Sequence, residues 1–145
     1  MTRGVLLDTH SLLWLRSGDS LRFESKLAIG EAIASGTLFL SQMLLWELGL
    51  AVQKKRVESR PDLSGLTIDE WIREASRRFG FHFVPLSDQI AMEAALVPGL
   101  AGYGDPGDCF LIATAHVENL ALVTRDARII DLANRRPDYL TVVEC

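Results

Sequence analysis

Short apolar runs alternate with segments of helical periodicity along this chain, and that alternation sets the main limit on how it can fold. Five runs are short and apolar enough to be buried strands, at residues 5–7, 37–40, 81–85, 121–124 and 140–143. Helical patterns lie between them, at residues 12–15, 24–34, 44–52, 67–79, 88–96, 108–117 and 127–133. Strands that alternate with helices are joined by right-handed crossovers. We therefore predict an α/β fold in which helices cover both faces of a central, mainly parallel sheet.

Two connecting segments are predicted to lack regular structure. One is the polar stretch 58–65, and the other is the glycine-rich stretch 98–107. Between them, Thr67 and Glu70 have the spacing of a capping box. That signature predicts a helix that starts after Thr67 and ends before Gly80.

The length and composition fit a single domain spanning residues 1–145. A chain of 145 residues that is 48% hydrophobic can bury a core without disulfide staples. Its two cysteines, Cys109 and Cys145, indicate a reducing compartment rather than a secreted scaffold. No apolar run approaches the roughly 18 residues of a membrane span, and the first run is too short for a signal peptide. We expect a soluble, cytoplasmic protein.

The charge pattern leaves nucleic-acid binding open. A formal net charge of -4 argues against binding that is driven by overall electrostatics. Basic residues nevertheless cluster within 54–56, 73–78 and 125–136. These clusters fit solvated helix faces. They also fit phosphate binding, provided that divalent cations offset the acidic residues nearby.

Four acidic residues stand where apolar segments begin, end or are interrupted: Asp8, Glu47, Asp108 and Asp126. Carboxylates are seldom buried unless they are paired or bound to a cation. Asp8 ends the first strand and Asp126 follows the fourth, so both should reach the sheet edge where ligands gather in α/β folds. Each acid also has a plainer interpretation: Asp108 as a first-turn acid, Asp126 as a helix N-cap, and Glu47 as a charge on a narrow exposed face.

The acids are more informative together than singly. Several carboxylates brought to one edge would repel one another unless cations lay among them. Ligands that offer only oxygen suit Mg²⁺ or Mn²⁺ rather than Zn²⁺. Hard divalent ions held in this way assist the hydrolysis of phosphodiester bonds. The acid pattern therefore predicts metal-assisted phosphoryl hydrolysis.

Histidine and tryptophan side chains add less to this hypothesis. His10 lies close to Asp8 and could serve as a general base, although a histidine in a turn or at a helix start is the plainer interpretation. Trp14, Trp46 and Trp71 recur in apolar helical patterns, which favours core or dimer contacts over stacking platforms for bases. No histidine or cysteine pair has the spacing of a zinc site.

Four segments, taken in order, carry a resemblance to a known family. They are Leu6-Leu7-Asp8-Thr9-His10 with Leu13-Trp14, then Ser41 with Trp46-Glu47-Leu48, then Asp105-Pro106-Gly107-Asp108 running into Leu111-Ile112-Ala113-Thr114-Ala115, and finally Leu122-Val123-Thr124-Arg125-Asp126. The last two segments are the more specific. Through them the chain resembles the PIN-domain ribonucleases, in particular the VapC-type toxins of type II toxin-antitoxin pairs, over nearly its whole length.

The resemblance implies a PIN-like three-layer α/β/α sandwich with a metal site. Asp8 would be the central ligand of one or two Mg²⁺ or Mn²⁺ ions. Asp108 and Glu47 would complete the metal shell directly or through water, and Asp126 would hold a second ion or orient a water molecule. These four residues would form the catalytic set.

The resemblance also implies supporting residues around the acids. Thr9 and Thr124 would donate hydrogen bonds to the carboxylates. Asp105 would either assist Asp108 as a further metal ligand or only shape the turn before the helix. The chain departs from the family at Ala51, where many relatives have a lysine. A contribution of that lysine is in doubt here.

The activity implied by the resemblance is that of a metal-dependent endoribonuclease toxin that hydrolyses RNA. Its partners would be a VapB-like antitoxin bound along the substrate groove and a second copy in a homodimer. The alternative is a non-catalytic PIN-like module for RNA binding or protein interaction, which would be expected to lose the acids that this chain keeps. A phosphotransferase with Asp8 as nucleophile would have a second aspartate where His10 stands, and a receiver domain would have paired acids at the first strand.

Overall fold

The computed structural model describes residues 2–145 and contains five β-strands and eight α-helices within that range. The strands are β1 Val5–Leu7, β2 Leu38–Ser41, β3 His82–Val84, β4 Ala121–Thr124 and β5 Val142–Glu144. The helices are α1 Thr9–Ser17, α2 Phe23–Ser35, α3 Met43–Ala51, α4 Ile68–Phe79, α5 Asp88–Ala94, α6 Val97–Ala101, α7 Pro106–Glu118 and α8 Ala127–Arg135. The strands and helices alternate as predicted.

The five strands form one parallel sheet with the order β3-β2-β1-β4-β5. β1 lies at the centre, where Leu6 is in register with Phe39 of β2 and Leu122 of β4. The order reverses direction on either side of β1, because the chain first builds outward through β2 and β3 and then returns to β4. Such a switch point opens a crevice at the carboxyl ends of the strands. The predicted α/β class and parallel sheet are confirmed.

Side chains of the central strand alternate between the two faces of the sheet, as the period of a β-strand requires. Val5 and Leu7 belong to a buried cluster that includes residues of α1 to α4. Leu6 points to the other face and belongs to a cluster that includes residues of α5 to α8. The two clusters make the molecule a three-layer α/β/α sandwich, with the first four helices on one face and the last four on the other.

Local capping signals start the helices. Thr67 and Glu70 form the predicted capping box at the start of α4. Three aspartates also act as N-caps, each with a side chain that accepts a backbone N–H of the first turn: Asp8 for α1, Asp105 for α7 and Asp126 for α8. These acids therefore sit at turns that lead into helices.

The stretch 98–107, predicted as a loop, is partly helical. It contains most of α6, with Pro98 at the second position of the helix, where a missing backbone N–H costs nothing. Gly102, in the left-handed region at φ 82°, ends this helix. The next helix, α7, starts at Pro106, so Asp108 lies within its first turn rather than at its start. Pro98 and Pro106 both lie in the first turn of a helix, where proline is tolerated. This explains why α6 forms and why α7 starts before Asp108.

The three tryptophans differ in environment. Trp71 is 1% exposed and lies in the core, as predicted, whereas Trp46 on α3 is 48% exposed. Trp14 on α1 is half-buried and packs against the core. Of the two contacts predicted for Trp46, a core contact is therefore excluded, and a dimer contact stays a prediction. None of the helices within residues 2–145 is both long and apolar enough to cross a membrane.

Candidate active site

A cleft of about 400 Å³ opens at the carboxyl ends of β1 and β4. Its walls come from the turns after these strands and from helices on both faces of the sheet. All five acidic residues singled out from the sequence line it: Asp8, Glu47, Asp105, Asp108 and Asp126. The fold thus brings together acids that are far apart in the chain.

Asp8 is the most firmly held of these acids. Its backbone N–H donates to the carbonyl of Val123 at 3.2 Å, which ties the end of β1 to β4. Its Oδ1 accepts the backbone N–H of Ser11 at 2.7 Å, and its Oδ2 accepts the hydroxyl of Thr124 at 2.6 Å. Charge-assisted bonds of this kind are stronger than neutral ones. Both carboxylate oxygens are therefore oriented, and Thr124 makes the predicted contact.

Asp126 is held by hydrogen bonds from the first turn of α8. Its Oδ1 accepts the backbone N–H groups of Arg128 at 2.9 Å and Ile129 at 3.2 Å, which caps α8. Its own backbone N–H donates to the Thr124 hydroxyl at 3.1 Å. Thr124 is fully buried and links the two aspartates through one oxygen. The capping interpretation of Asp126 and its place in the cleft are thus compatible.

Glu47 lies on α3 and reaches the cleft from the first helical layer. The Thr9 hydroxyl donates to its Oε1 at 3.1 Å, which is the second contact predicted for a threonine. Burial raises the pKa of the Glu47 carboxyl, the Thr9 hydrogen bond opposes that rise, and the negative charges of neighbouring acids add to it. A side chain at Gly107 would place its Cβ 3.0 Å from Glu47 Oε2, so this glycine lets α7 approach. Glu47 is therefore half-buried within an acidic cleft.

Asp108 faces the cleft from α7 and carries the largest shift among the acids. Burial raises the pKa of Asp108 to about 6, and the charges of Asp105 and Asp126 act in the same direction. The Tyr103 hydroxyl opposes the rise by donating to Oδ2 at 3.1 Å. Arg128 also opposes it, with Nη2 at 3.6 Å from the same oxygen. Asp108 thus carries a charge that its surroundings only partly offset.

Asp105 is placed differently from the other acids. Its Oδ2 accepts the backbone N–H of Asp108 at 3.0 Å and caps α7. Asp105 is exposed, whereas Asp108 is half-buried. Asp105 is thus the N-cap of α7, and it also lines the cleft.

The chemistry of the donor set fits a hard divalent cation. The cleft offers carboxylate and hydroxyl oxygens without cysteine, which are the donors that Mg²⁺ and Mn²⁺ prefer. The raised pKa values of Glu47 and Asp108 reflect in part the repulsion that a cation would relieve. As the side chains of residues 2–145 stand, no group of three or more His, Cys, Asp or Glu is close enough to enclose a metal ion. Asp8, Glu47 and Asp108 would be the residues that hold one.

Two arginines that line the cleft each lie over an aromatic ring, and these pairs were not predicted from the sequence. The guanidinium carbon of Arg125 lies 3.6 Å from the centroid of the Trp14 ring, and that of Arg128 lies 4.0 Å from the centroid of the Tyr103 ring. Only the basic cluster 125–136 indicated cations in this region. The aromatic partners come from distant segments, so no spacing in the sequence connects them.

A second groove of about 430 Å³ adjoins the acidic cleft and shares Glu47 and Asp105 with it. Ala51 lines this groove where many relatives have a lysine, and Lys54 lies on the same lining one turn further along. Trp46 and Leu50 of α3 also line it and are about half exposed. The groove therefore joins an apolar surface to the acids.

Comparison with known proteins agrees with this architecture. A family model described as the PIN domain matches residues 5–135. No curated protein sequence matches the chain significantly. Among solved structures, a toxin-antitoxin complex from Klebsiella pneumoniae aligns with a TM-score of 0.60 and 21% identity, over 97% of this chain and 96% of that chain.

Two further solved structures have similar folds. One is VapBC2 from Rickettsia felis bound to a promoter DNA fragment, with a TM-score of 0.64, 15% identity and 97% of both chains covered. The other is FitAcB from Neisseria gonorrhoeae, with a TM-score of 0.62, 18% identity and 95% of both chains covered. At these identities the structures show a shared fold. The family match over residues 5–135 shows that this chain belongs to the PIN domain family.

Proposed function

We propose that this chain is a VapC-type toxin that acts as a Mg²⁺- or Mn²⁺-dependent endoribonuclease on RNA phosphodiester bonds. The observation that carries the proposal is the convergence of Asp8, Glu47, Asp108 and Asp126 on one cleft at the carboxyl edge of a PIN-domain sheet. Four carboxylates with so few neighbouring cations are costly unless they bind metal. Membership of the PIN family makes a nuclease the activity to test first.

The proposed metal ligands are Asp8, Glu47 and Asp108, with Asp126 holding a second ion or orienting a water molecule. A bound divalent cation would supply Lewis acidity toward the scissile phosphate and the attacking water. Asp105 ranks below these four, because it caps α7 and is exposed, whereas the other four are half-buried.

The chain's own residues would orient this ligand set. The Ser11 backbone N–H and the Thr124 hydroxyl each donate to one oxygen of Asp8 and so fix the orientation of its carboxylate. Thr9 and Tyr103 do the same for one oxygen each of Glu47 and Asp108. Side chains locked by such hydrogen bonds need no rearrangement when substrate arrives.

A VapB-like antitoxin is the partner that we propose for the apolar groove. The similar structure from Klebsiella pneumoniae is a toxin-antitoxin complex, and the one from Rickettsia felis is VapBC2 bound to a DNA fragment. In this chain, exposed Trp46 and Leu50 line a groove that ends at Glu47, so an occupant would also block the acidic cleft. The proposal further includes a single domain over residues 1–145, a homodimer and a cytoplasmic location.

The test is cleavage of a structured RNA with and without Mg²⁺, comparing the wild type with Asp8→Asn. We expect Mg²⁺-dependent cleavage by the wild type and almost none by the variant. Asp69→Asn, which removes an exposed acid of α4, is the control and should cleave like the wild type. Equal cleavage by Asp8→Asn, or activity that survives EDTA, would contradict the proposal. Binding of RNA without cleavage would favour the non-catalytic alternative.

A further inference from the structure

An acidic cleft is an unfavourable surface for RNA, because each nucleotide carries a negative phosphate. Five carboxylates line the cleft, together with two arginines, Arg125 and Arg128. A cation among the acids could offset their charge locally, but phosphates on either side of the reacting one would still need partners. The two arginines are therefore the side chains to examine for contacts with the RNA backbone.

Arg128 is already engaged with the acids of the cleft. Its Nη2 lies 3.6 Å from Asp108 Oδ2, and its Nε lies 3.9 Å from Asp126 Oδ1. Its guanidinium also stacks on Tyr103, whose hydroxyl donates to Asp108. The charge of Arg128 is thus directed at the carboxylates rather than outward.

Arg125 has the opposite arrangement. Within residues 2–145, no carboxylate lies within ion-pair distance of its side chain, although Asp126 follows it in the chain. Its guanidinium lies over Trp14 at 3.6 Å, and Nη2 makes one long hydrogen bond, 3.4 Å, to the carbonyl of Ser20. Arginine has five N–H donors, so most of them are left for a ligand. Arg125 is both exposed and held in place.

Trp14 is the side chain that holds it. The tryptophan is half-buried and packs against the hydrophobic cluster beneath α1, so it offers a firm surface. A guanidinium stacked on an aromatic face keeps its edge free, and that edge can donate two parallel hydrogen bonds to a phosphate. Both side chains line the same cleft as the acids.

We infer that Arg125, positioned by Trp14, binds a backbone phosphate of the RNA substrate next to the phosphate that is cleaved. The inference rests on the proposed function, because it names how the substrate is held at that site. Arg125 is the binding residue and Trp14 is a positioning residue. Arg128 is instead a counter-ion of the acids.

The first experiment measures RNA binding without cleavage. A short fluorescent single-stranded RNA of mixed sequence is titrated with Asp8→Asn protein in Mg²⁺, and the same is done after adding Arg125→Gln. We expect binding to weaken roughly fivefold at low salt, the effect of one charge contact near a solvated surface. The slope of log affinity against log salt should become shallower by about 0.7, as expected for one lost phosphate contact on a single strand.

The matched control is Arg77→Gln in the same background. Arg77 is an exposed arginine of α4 that does not line the acidic cleft. It should leave both affinity and salt slope unchanged. An Arg125→Gln protein that binds with the same affinity and slope as its parent would overturn the inference, as would an equal loss in Arg77→Gln.

A second set of variants tests the stacking. Trp14→Phe keeps an aromatic face and a folded core, while Arg125→Lys keeps the charge but not the planar edge. We expect intermediate losses for both. Combining Trp14→Phe with Arg125→Gln should add little to the loss from Arg125→Gln alone, because both act through one contact. Fully additive losses would contradict the positioning role of Trp14.

Cleavage kinetics separate this inference from the proposed function. In otherwise wild-type protein, Arg125→Gln should raise KM several-fold with little change in kcat, because it removes a contact present before reaction. If the wild type cleaves RNA and Arg125→Gln leaves KM unchanged, the inference fails while the function stands. If the wild type never cleaves RNA, the function fails, and the binding assay still decides whether Arg125 contacts phosphate.

Discussion

Two pairs of acids line the cleft, and they are held by different means. The side chains of the strand-end pair, Asp8 and Asp126, together accept four hydrogen bonds. Three come from backbone N–H groups and one from the Thr124 hydroxyl. The helix pair, Glu47 and Asp108, accepts one hydroxyl each and has raised pKa values because of burial and neighbouring charge. The fold thus supplies two hydrogen bonds to each carboxylate of the first pair, but only one to each carboxylate of the second.

We therefore expect the two pairs to contribute to metal binding in different ways. Hydrogen-bond donors orient the strand-end pair, while the helix pair adds negative charge that the protein itself only partly offsets. A divalent cation between them would be aligned by one pair and drawn in by the other. The comparison therefore predicts that variants of the two pairs fail in different ways.

The largest effect is expected from the helix pair in catalysis. Glu47→Gln should lower kcat/KM for RNA cleavage about a thousandfold, or roughly 4 kcal/mol, because a proposed metal ligand loses its charge while the side-chain volume stays. The measurement is the initial rate of cleavage in Mg²⁺.

Asp105→Asn is the matched control for that experiment. Asparagine caps a helix about as well as aspartate, so α7 should still start correctly. We expect a loss below about tenfold, in line with a capping role. A thousandfold loss in Asp105→Asn would move this residue into the ligand set, and full activity in Glu47→Gln would remove the helix pair from it.

The next effect concerns the support of the strand-end pair. Thr124→Val keeps the shape of a buried side chain but removes the donor to Asp8 and the acceptor for the Asp126 backbone. We expect the Mg²⁺ concentration for half-maximal cleavage to rise about 10- to 100-fold. Thr9→Val, on the helix side, should have a smaller effect, since its bond to Glu47 is longer.

Thr114→Val serves as the control for these substitutions. Thr114 is equally buried, but its hydroxyl donates to the Phe110 carbonyl within α7, away from the acids. Its Mg²⁺ dependence should match the wild type. If Thr124→Val also matches the wild type, orientation by Thr124 does not contribute to metal binding.

The smallest effect is a pH-dependent difference in stability, measured in EDTA by urea unfolding. Asp108 binds its proton more tightly in the folded chain than in the unfolded chain, so the unfolding free energy falls as pH rises from 3.8 to about 6. Asp108→Asn removes that loss. It should stabilise the protein by about 1 kcal/mol above pH 6, after allowance for solvent screening, and by nothing near pH 3.8.

Asp8→Asn should have the opposite sign under the same conditions. It weakens two hydrogen bonds to a charged carboxylate, so we expect a loss of about 1 kcal/mol above pH 6. Two variants that change stability in the same direction would show that the pairs are held alike.

Much of this architecture could be predicted from local patterns. Short apolar runs separated by helical segments lead to a parallel sheet, and parallel strands end at one edge, so Asp8 and Asp126 were expected to lie together. The hydroxyls of Thr9 and Thr124 also make the contacts expected of them. The roles of these residues in metal binding stay predictions.

Other features depend on how elements pack and left no mark in the sequence. Helix α3 is apolar around most of its circumference, so its sequence pattern does not predict which face is buried. In the structure Leu48 is buried and Trp46 is exposed. The partnership of Arg125 with Trp14 joins segments more than a hundred residues apart, which only the folded chain brings together. Likewise, the sequence placed Tyr103 in the predicted loop 98–107 but did not identify it as the donor to Asp108.

The central claim is that both acid pairs contribute to a divalent-metal site, and metal binding tests it without any substrate. Mn²⁺ is titrated into the wild type, Asp8→Asn, Glu47→Gln and the surface control Asp69→Asn, and free Mn²⁺ is followed by electron paramagnetic resonance. We predict saturable binding to the wild type and to Asp69→Asn, and affinity at least about tenfold lower when either pair loses a carboxylate. No saturable binding to the wild type, or wild-type affinity in either Asp8→Asn or Glu47→Gln, would contradict the claim.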